Sequence, residues 1–141
     1  MVKEENREID KLISAAREAQ RAAYAPYSEF KVGAALLTKD GHIFTGCNVE
    51  NTTYGLSICA ERVVVTKAIS EGHKDFVLLV VVADSDEPIS PCGACRQFML
   101  EFNPEMEVVM VGDNGNRRRM TVSELLPHYF LRPGNDGKRK I

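Results

Sequence analysis

Cysteines stand at positions 47, 59, 92 and 95, and the last two belong to the stretch Cys92-Gly93-Ala94-Cys95. Ser90-Pro91 before them reads as an N-cap followed by proline at the first helical position, so the pair opens a helix. There, exposed amides and the helix dipole favour thiolate, and a spacing of three puts both sulfurs on one face. A reduced pair of this kind serves dithiol redox chemistry or metal ligation, and ligation needs further donors. Cys59 offers one at the start of another expected helix, with Glu61 two residues on. Residues two apart on a regular helix diverge by about 200°, which gives Glu61 a role separate from the cysteines. Three thiolates leave a tetrahedral zinc ion one open position, the arrangement of a catalytic site. Water there is acidified toward a pKa of about 7. Three thiolates weaken that effect by making the centre negative, and Arg62 beside Glu61 supplies compensating charge. Cys47 would close the open position as a fourth ligand; it reads instead as a small buried apolar residue.

These groups need elements to position them. From Glu4 to Ala23, apolar residues at 9, 12, 13, 16, 19 and 23 mark one face of a helix that cannot continue through Pro26. Phe30 to Thr38 and His42 to Glu50 read as two strands joined through Lys39-Asp40-Gly41, a hairpin signal. Asn48 and Glu50 are two apart in the second strand, so both side chains leave one face and can converge on one ligand. A helix over Ser57 to Glu71 stops at Gly72, and Phe76 to Ala83 is the apolar run of a central strand covered on both faces. A helix from Ser90-Pro91 ends near Asn103-Pro104. Then come a strand at Glu107 to Val111, a loop at Gly112 to Asn116, a strand at Arg117 to Thr121, and a capping box over Thr121-Val122-Ser123-Glu124. This succession implies an α/β fold, a mixed sheet with helices on both faces.

With 141 residues, 44% apolar and 27% charged, and no internal repeat or linker, the chain reads as a single domain over 1–141 that buries roughly two-thirds of its surface. A net charge of −2 argues against a dedicated binder of nucleic acid or anionic membrane. Arg117-Arg118-Arg119 and Lys138-Arg139-Lys140 read as solvated surface. His42, His73 and His128 follow a turn, a helix-stopping glycine and a proline, and none is assigned to the metal. No apolar run approaches a membrane span, and the charged first residues carry no secretory signal. The cytoplasm, where thiols stay reduced, is the expected compartment.

Cys59-Ala60-Glu61-Arg62 followed by Pro91-Cys92-Gly93-Ala94-Cys95-Arg96-Gln97 matches the pattern of zinc-dependent deaminases. Three further stretches appear in the same order: Tyr24-Ala25-Pro26-Tyr27-Ser28, Phe30 with Val32-Gly33-Ala34-Ala35-Leu36, and Gly46-Cys47-Asn48-Val49-Glu50-Asn51. With them the chain resembles the cytidine deaminase family, its small homotetrameric type in particular. The resemblance implies a three-layer α/β/α fold with a mixed five-stranded sheet, the first strand antiparallel to a parallel remainder. It implies one Zn2+ per subunit on Cys59, Cys92 and Cys95, with Arg62 and Gln97 behind the ligands. Glu61 then takes a proton from the activated water and passes it to ring N3 while oxygen adds at C4 and ammonia leaves. Asn48 and Glu50 fall to the ribose hydroxyls, and Phe30 and Ala60 to the base. Tyr54 and Phe130 reach into a neighbouring subunit's site. The implied reaction is hydrolysis of free cytidine, and of deoxycytidine, in pyrimidine salvage. A 3′-phosphate would be repelled by Glu50.

A deaminase of the blasticidin type resembles the same Cys-Ala-Glu and Pro-Cys-Gly-x-Cys patterns, but Asn48, Glu50 and Arg62 favour the cytidine type. Nucleic-acid editing calls for a basic, aromatic groove that this composition does not supply. A non-catalytic zinc or redox module would need four closed ligands or an isolated dithiol, and Glu61 beside Cys59 speaks against both.

Overall fold

The computed structural model describes residues 2–132; Lys138-Arg139-Lys140 lies outside them. Helix α1 (Val2–Gln20) leads to strand β1 (Val32–Thr38) and strand β2 (Ile43–Cys47), the expected hairpin. Its turn includes Gly41 at φ +91°, where a side chain would be strained. Helix α2 (Ala60–Ser70), strand β3 (Phe76–Ala83), helix α3 (Gly93–Leu100), strand β4 (Glu107–Val111), strand β5 (Arg117–Thr121) and helix α4 (Val122–Leu125) follow.

The sheet order is β2-β1-β3-β4-β5. β1 is antiparallel to both β2 and β3, as expected, but the remainder is not all parallel: β3 and β4 are parallel, while β5 runs antiparallel to β4. The reason is chain length. β3 returns to β4 through α3, whereas the loop 112–116 is too short for the crossover that a parallel partner needs.

Three layers result, with α1 on one face of the sheet and α2, α3 and α4 on the other. Leu78, Val80 and Val82 of β3 pack with Ile9, Leu12 and Ala16 of α1, while Leu79 and Val81 pack with Val64, Met99 and Val122. This explains the unbroken apolar run of β3, since both its faces are covered. Each fully buried side chain of this size contributes about 1.5–3 kcal/mol. α1 lies so close to β1 that a Cβ on Gly33 would sit 2.1 Å from the Ala16 carbonyl oxygen.

Of the expected boundaries that shift, three lie beside the thiols. β2 ends at Cys47, because the chain then leaves β1 and Val49 bridges to Tyr24 and Ile58. That bridge draws Ile58 into extended backbone, so α2 begins at Ala60 rather than Ser57, with Cys59 as its N-cap. α3 begins at Gly93 with Cys92 as N-cap, so Ser90 is not the cap. Arg117 and Arg119 pair with Asp10, Glu5 and Glu107, so part of this exposed cluster ties β5 to α1.

Candidate active site

Cys59 and Cys92 hold equivalent places, N-caps of α2 and α3 with extended backbone, at φ −72°, ψ 153° and φ −66°, ψ 165°. Cys95 follows within the first turn of α3. The three Sγ atoms lie within 4.8 Å of one another, with 4.0 Å between Cys59 and Cys92 and 3.4 Å between Cys92 and Cys95. Sulfurs bound at 2.3 Å to a tetrahedral zinc ion stand about 3.8 Å apart, so the cluster fits zinc. Cys47 is partly buried at the end of β2 and stays outside the cluster.

Cys59 ionises ahead of Cys95. Hydrogen bonding from the Cys95 thiol holds it well below the usual range, and Arg62 and Cys92 add to the effect. Cys95 is pushed up by its bond to Cys59 and by burial. Arg62 Nη2 donates to the Ser57 carbonyl at 3.3 Å and stands 3.9 Å from Cys59 Sγ. Its Nε is buried without a partner, which is costly for a charged donor and suits the electron-rich surroundings of a metal thiolate.

Glu61 is only 5% exposed in the first turn of α2. The angular argument that separates it from Cys59 does not apply, because Cys59 is not helical; both residues line one cavity. Burial foremost pushes the Glu61 carboxyl up to about 7, with the neighbouring Cys59 charge adding to the rise and Arg62 opposing it. A carboxyl poised near neutrality can both take and give a proton.

The cavity measures about 240 Å³, small for a ligand pocket and suited to a compact ligand. Phe30 and Ala60 line it, as expected from sequence, together with Val32, Val81 and Ala83. Val81 and Ala83 mark the carboxyl end of β3, where ligands of α/β sheets characteristically bind. Ile89 and Ser90 complete the wall beside Cys92. Neither Ser90 nor Ile89 was given a lining role from sequence; their position just ahead of Pro91-Cys92 was the available signal.

Asn48 is buried in the wall. Its Nδ2 donates to the Phe30 carbonyl at 2.8 Å and its Oδ1 accepts from the Val32 amide at 2.9 Å. These bonds fix the orientation of the carboxamide while leaving one N–H and one lone pair for a ligand. Glu50 does not share that wall. Because the strand has ended, the alternation expected of Asn48 and Glu50 fails. Glu50 Oε1 accepts instead from the Tyr27 and Ser28 amides at 3.0 and 3.1 Å, and Oε2 from the Ser28 hydroxyl. Ser28 foremost holds this carboxyl below its ordinary value of 4.5.

Tyr54 lies in a 3-10 turn (Tyr54–Leu56), its ring edge-on to Tyr27 with centroids 6.0 Å apart. It is 75% exposed and Phe130 is 72% exposed; neither lines the cavity of its own chain. Gln97, expected behind the sulfurs, donates from Nε2 to the Phe130 carbonyl at 2.9 Å and so pins that segment. Arg96, given no role from sequence, donates from Nε to the Pro91 carbonyl at 2.8 Å and from Nη1 to the Leu125 carbonyl at 2.6 Å. It braces the approach to Cys92 against the end of α4.

Comparison with known proteins agrees with this geometry. Residues 6–112 match the family model described as the cytidine and deoxycytidylate deaminase zinc-binding region. A cytidine deaminase of Halalkalibacterium halodurans is 52% identical over 120 residues, covering 84% of this chain and 91% of that protein. One from Sporosarcina psychrophila is 48% identical over 124 residues, covering 87% and 91%. The crystal structure of cytidine deaminase from Burkholderia pseudomallei superimposes with a TM-score of 0.84 at 49% identity, covering 86% of this chain and 98% of the other. With the matched region spanning both cysteine motifs and Glu61, the chain belongs to the cytidine and deoxycytidylate deaminase family.

Proposed function

We propose that the chain, as one catalytic domain over 1–141, hydrolyses free cytidine and deoxycytidine to the corresponding uridines and ammonia, in pyrimidine salvage in the cytoplasm. The observation that carries this reading is the buried Glu61 beside three clustered thiols in a cavity of nucleoside scale. Cys59, Cys92 and Cys95 would hold one zinc ion per chain, which would supply the cavity with acidified water. Arg62 offsets the negative charge of the thiolates.

Glu61 carries the protons. Its carboxylate takes one from water, delivers it to ring N3, and serves the departing amino group in turn; such positioned acid–base groups contribute about 10²- to 10⁴-fold. The ring of Phe30 packs along the base. The free N–H and lone pair of Asn48 and the ionised Glu50 engage ribose hydroxyls, and Glu50 repels a phosphate at the 3′ position. Tyr54 and Phe130, exposed together with Tyr24, Leu56 and Ile58, support assembly into a homotetramer in which both aromatics close a neighbour's cavity.

The reading is tested by following conversion of cytidine by the zinc-loaded protein through its ultraviolet absorbance, with blasticidin S and cytidine 3′-phosphate alongside. Cytidine is expected to turn over and the other two to lag far behind. Blasticidin S as the preferred substrate would replace the proposed specificity with that of the other deaminase type.

A further inference from the structure

A second convergence of ligating side chains lies at the far end of β1. Asp40, His42 and His73 offer three ligand atoms within 4.8 Å of one another. His42 Nδ1 is 3.2 Å from Asp40 Oδ2 and His73 Nδ1 is 3.8 Å from Asp40 Oδ1, so one carboxylate serves two imidazoles whose ring centroids are 4.4 Å apart. Nitrogen and oxygen ligands at their usual distances on a tetrahedral zinc ion stand about 3.3 Å apart, close to the first separation and within a small side-chain adjustment of the second.

The backbone prepares this arrangement. The Lys39 amide donates to the Asp75 carbonyl at 2.8 Å, which ties the hairpin turn to the loop entering β3. The His42 amide donates to Thr38 Oγ1 at 2.9 Å, and the same hydroxyl donates to Asp40 Oδ1. Gly72, at φ +91°, turns the chain out of α2 so that His73 reaches the hairpin, where its ring leans on Phe44 at 5.1 Å. A cavity of about 400 Å³ beside Asp40 and His73 leaves room for water in the remaining coordination positions. Lys39 and Lys74 line it with Asp40 and Asp75, so the formal charges cancel and a dication meets no net repulsion. Thr38 and His42 hold the Asp40 carboxyl below its ordinary range, so it is ionised at neutral pH.

We propose that Asp40, His42 and His73 form a second metal site, for a divalent ion of the zinc class, that clamps the β1–β2 turn to the loop before β3. Two imidazoles and a carboxylate with open positions form a ligand set suited to zinc, nickel or copper rather than to calcium or magnesium. The site shares no residue with the thiol cluster. The six steps along β1 from Val32, at the deaminase cavity, to Thr38 separate the two by about 20 Å. Binding displaces any proton on the ligating nitrogens, so affinity falls in acid.

Equilibrium dialysis of the zinc-loaded enzyme against added Zn2+, read by metal analysis, is expected to give two ions per chain. The imidazole resonances of His42 and His73 are expected to shift while those of His128 stay in place. His42→Ala, and the milder Asp40→Asn, which leaves the packing of His73 on Phe44 intact, are expected to return the ratio to one ion without changing cytidine turnover. The resonance shifts do not depend on which nucleoside is the substrate, so the site stands or falls apart from the deaminase reading. One ion per chain in the wild type at saturating Zn2+, or a second ion retained by both variants, would show an ordinary ion-paired surface and overturn the proposal.

Discussion

The interior of the deaminase cavity and the exposed aromatics outside it are built differently. Glu61 and Asn48 are 5% and 9% exposed, whereas Tyr54 and Phe130 are 75% and 72% exposed. In the interior, two helix N-termini, the carboxyl end of β3 and a hydrogen-bonded carboxamide bring every chemical group together within one chain. Tyr54 lies in a 3-10 turn, edge-on to Tyr27, and Phe130 in a segment pinned through Gln97; neither ring lines the cavity of its own chain. The groups of the proposed reaction chemistry are therefore gathered by the fold of one chain, while completion of the substrate grip by a neighbour belongs to the proposed assembly.

Substitutions that enter the interior should produce the largest effects. Cys95→Ala removes one of three ligands, and metal analysis is expected to find zinc lost and turnover abolished. Asn48→Ala leaves the Phe30 carbonyl and the Val32 amide unpaired, at about 1–3 kcal/mol for each buried group. Melting and kinetics are expected to show a lower Tm and a kcat/KM reduced by about 10- to 100-fold. Outside the cavity, Phe130→Ala is expected to raise KM by about 2- to 10-fold, the worth of one aromatic contact, with zinc content and kcat unchanged. A large fall in kcat there would erase the distinction between the two regions.

The smallest effect is a pH dependence. The folded pKa of Glu50 is lowered, so the carboxylate keeps its charge to lower pH than an ordinary glutamate. KM for cytidine is expected to stay flat down to a pH of about 5. Ser28→Ala removes the principal cause of the shift and is expected to move the acid-side rise in KM to higher pH. The same sign holds for stability. The contribution of these bonds is fully present above the unfolded value of 4.5 and disappears as pH falls through the lowered folded value.

Local rules made much of this molecule legible. The capping box at Thr121 forms with both its bonds, and the Asp40-Gly41 turn closes the hairpin. The apolar run of β3 lies between two packed layers, as its composition implies. The chemical residues were legible because type and spacing suffice to mark a thiol cluster and its glutamate. Features governed by contacts between distant segments were not. The bridges of Val49 to Tyr24 and Ile58 end β2 early and delay α2, which undid both the strand alternation assigned to Glu50 and the helical angle assigned to Glu61. Gln97 follows Arg96 in the cysteine motif yet serves the segment of Phe130, a contact across 33 positions that no local pattern encodes. The antiparallel β5 could have been read from the short loop 112–116, had its length been weighed against the reach of a crossover.

Glu61 is proposed to carry protons without holding the metal. Glu61→Gln keeps the shape of the side chain and removes its acid–base function, so zinc content and cytidine turnover should be measured on the same preparation. One zinc ion in the thiol cluster, as in the wild type, is the expected result, with kcat lowered by about 10²- to 10⁴-fold. Wild-type turnover in the zinc-replete variant, or loss of zinc in step with loss of activity, would contradict it.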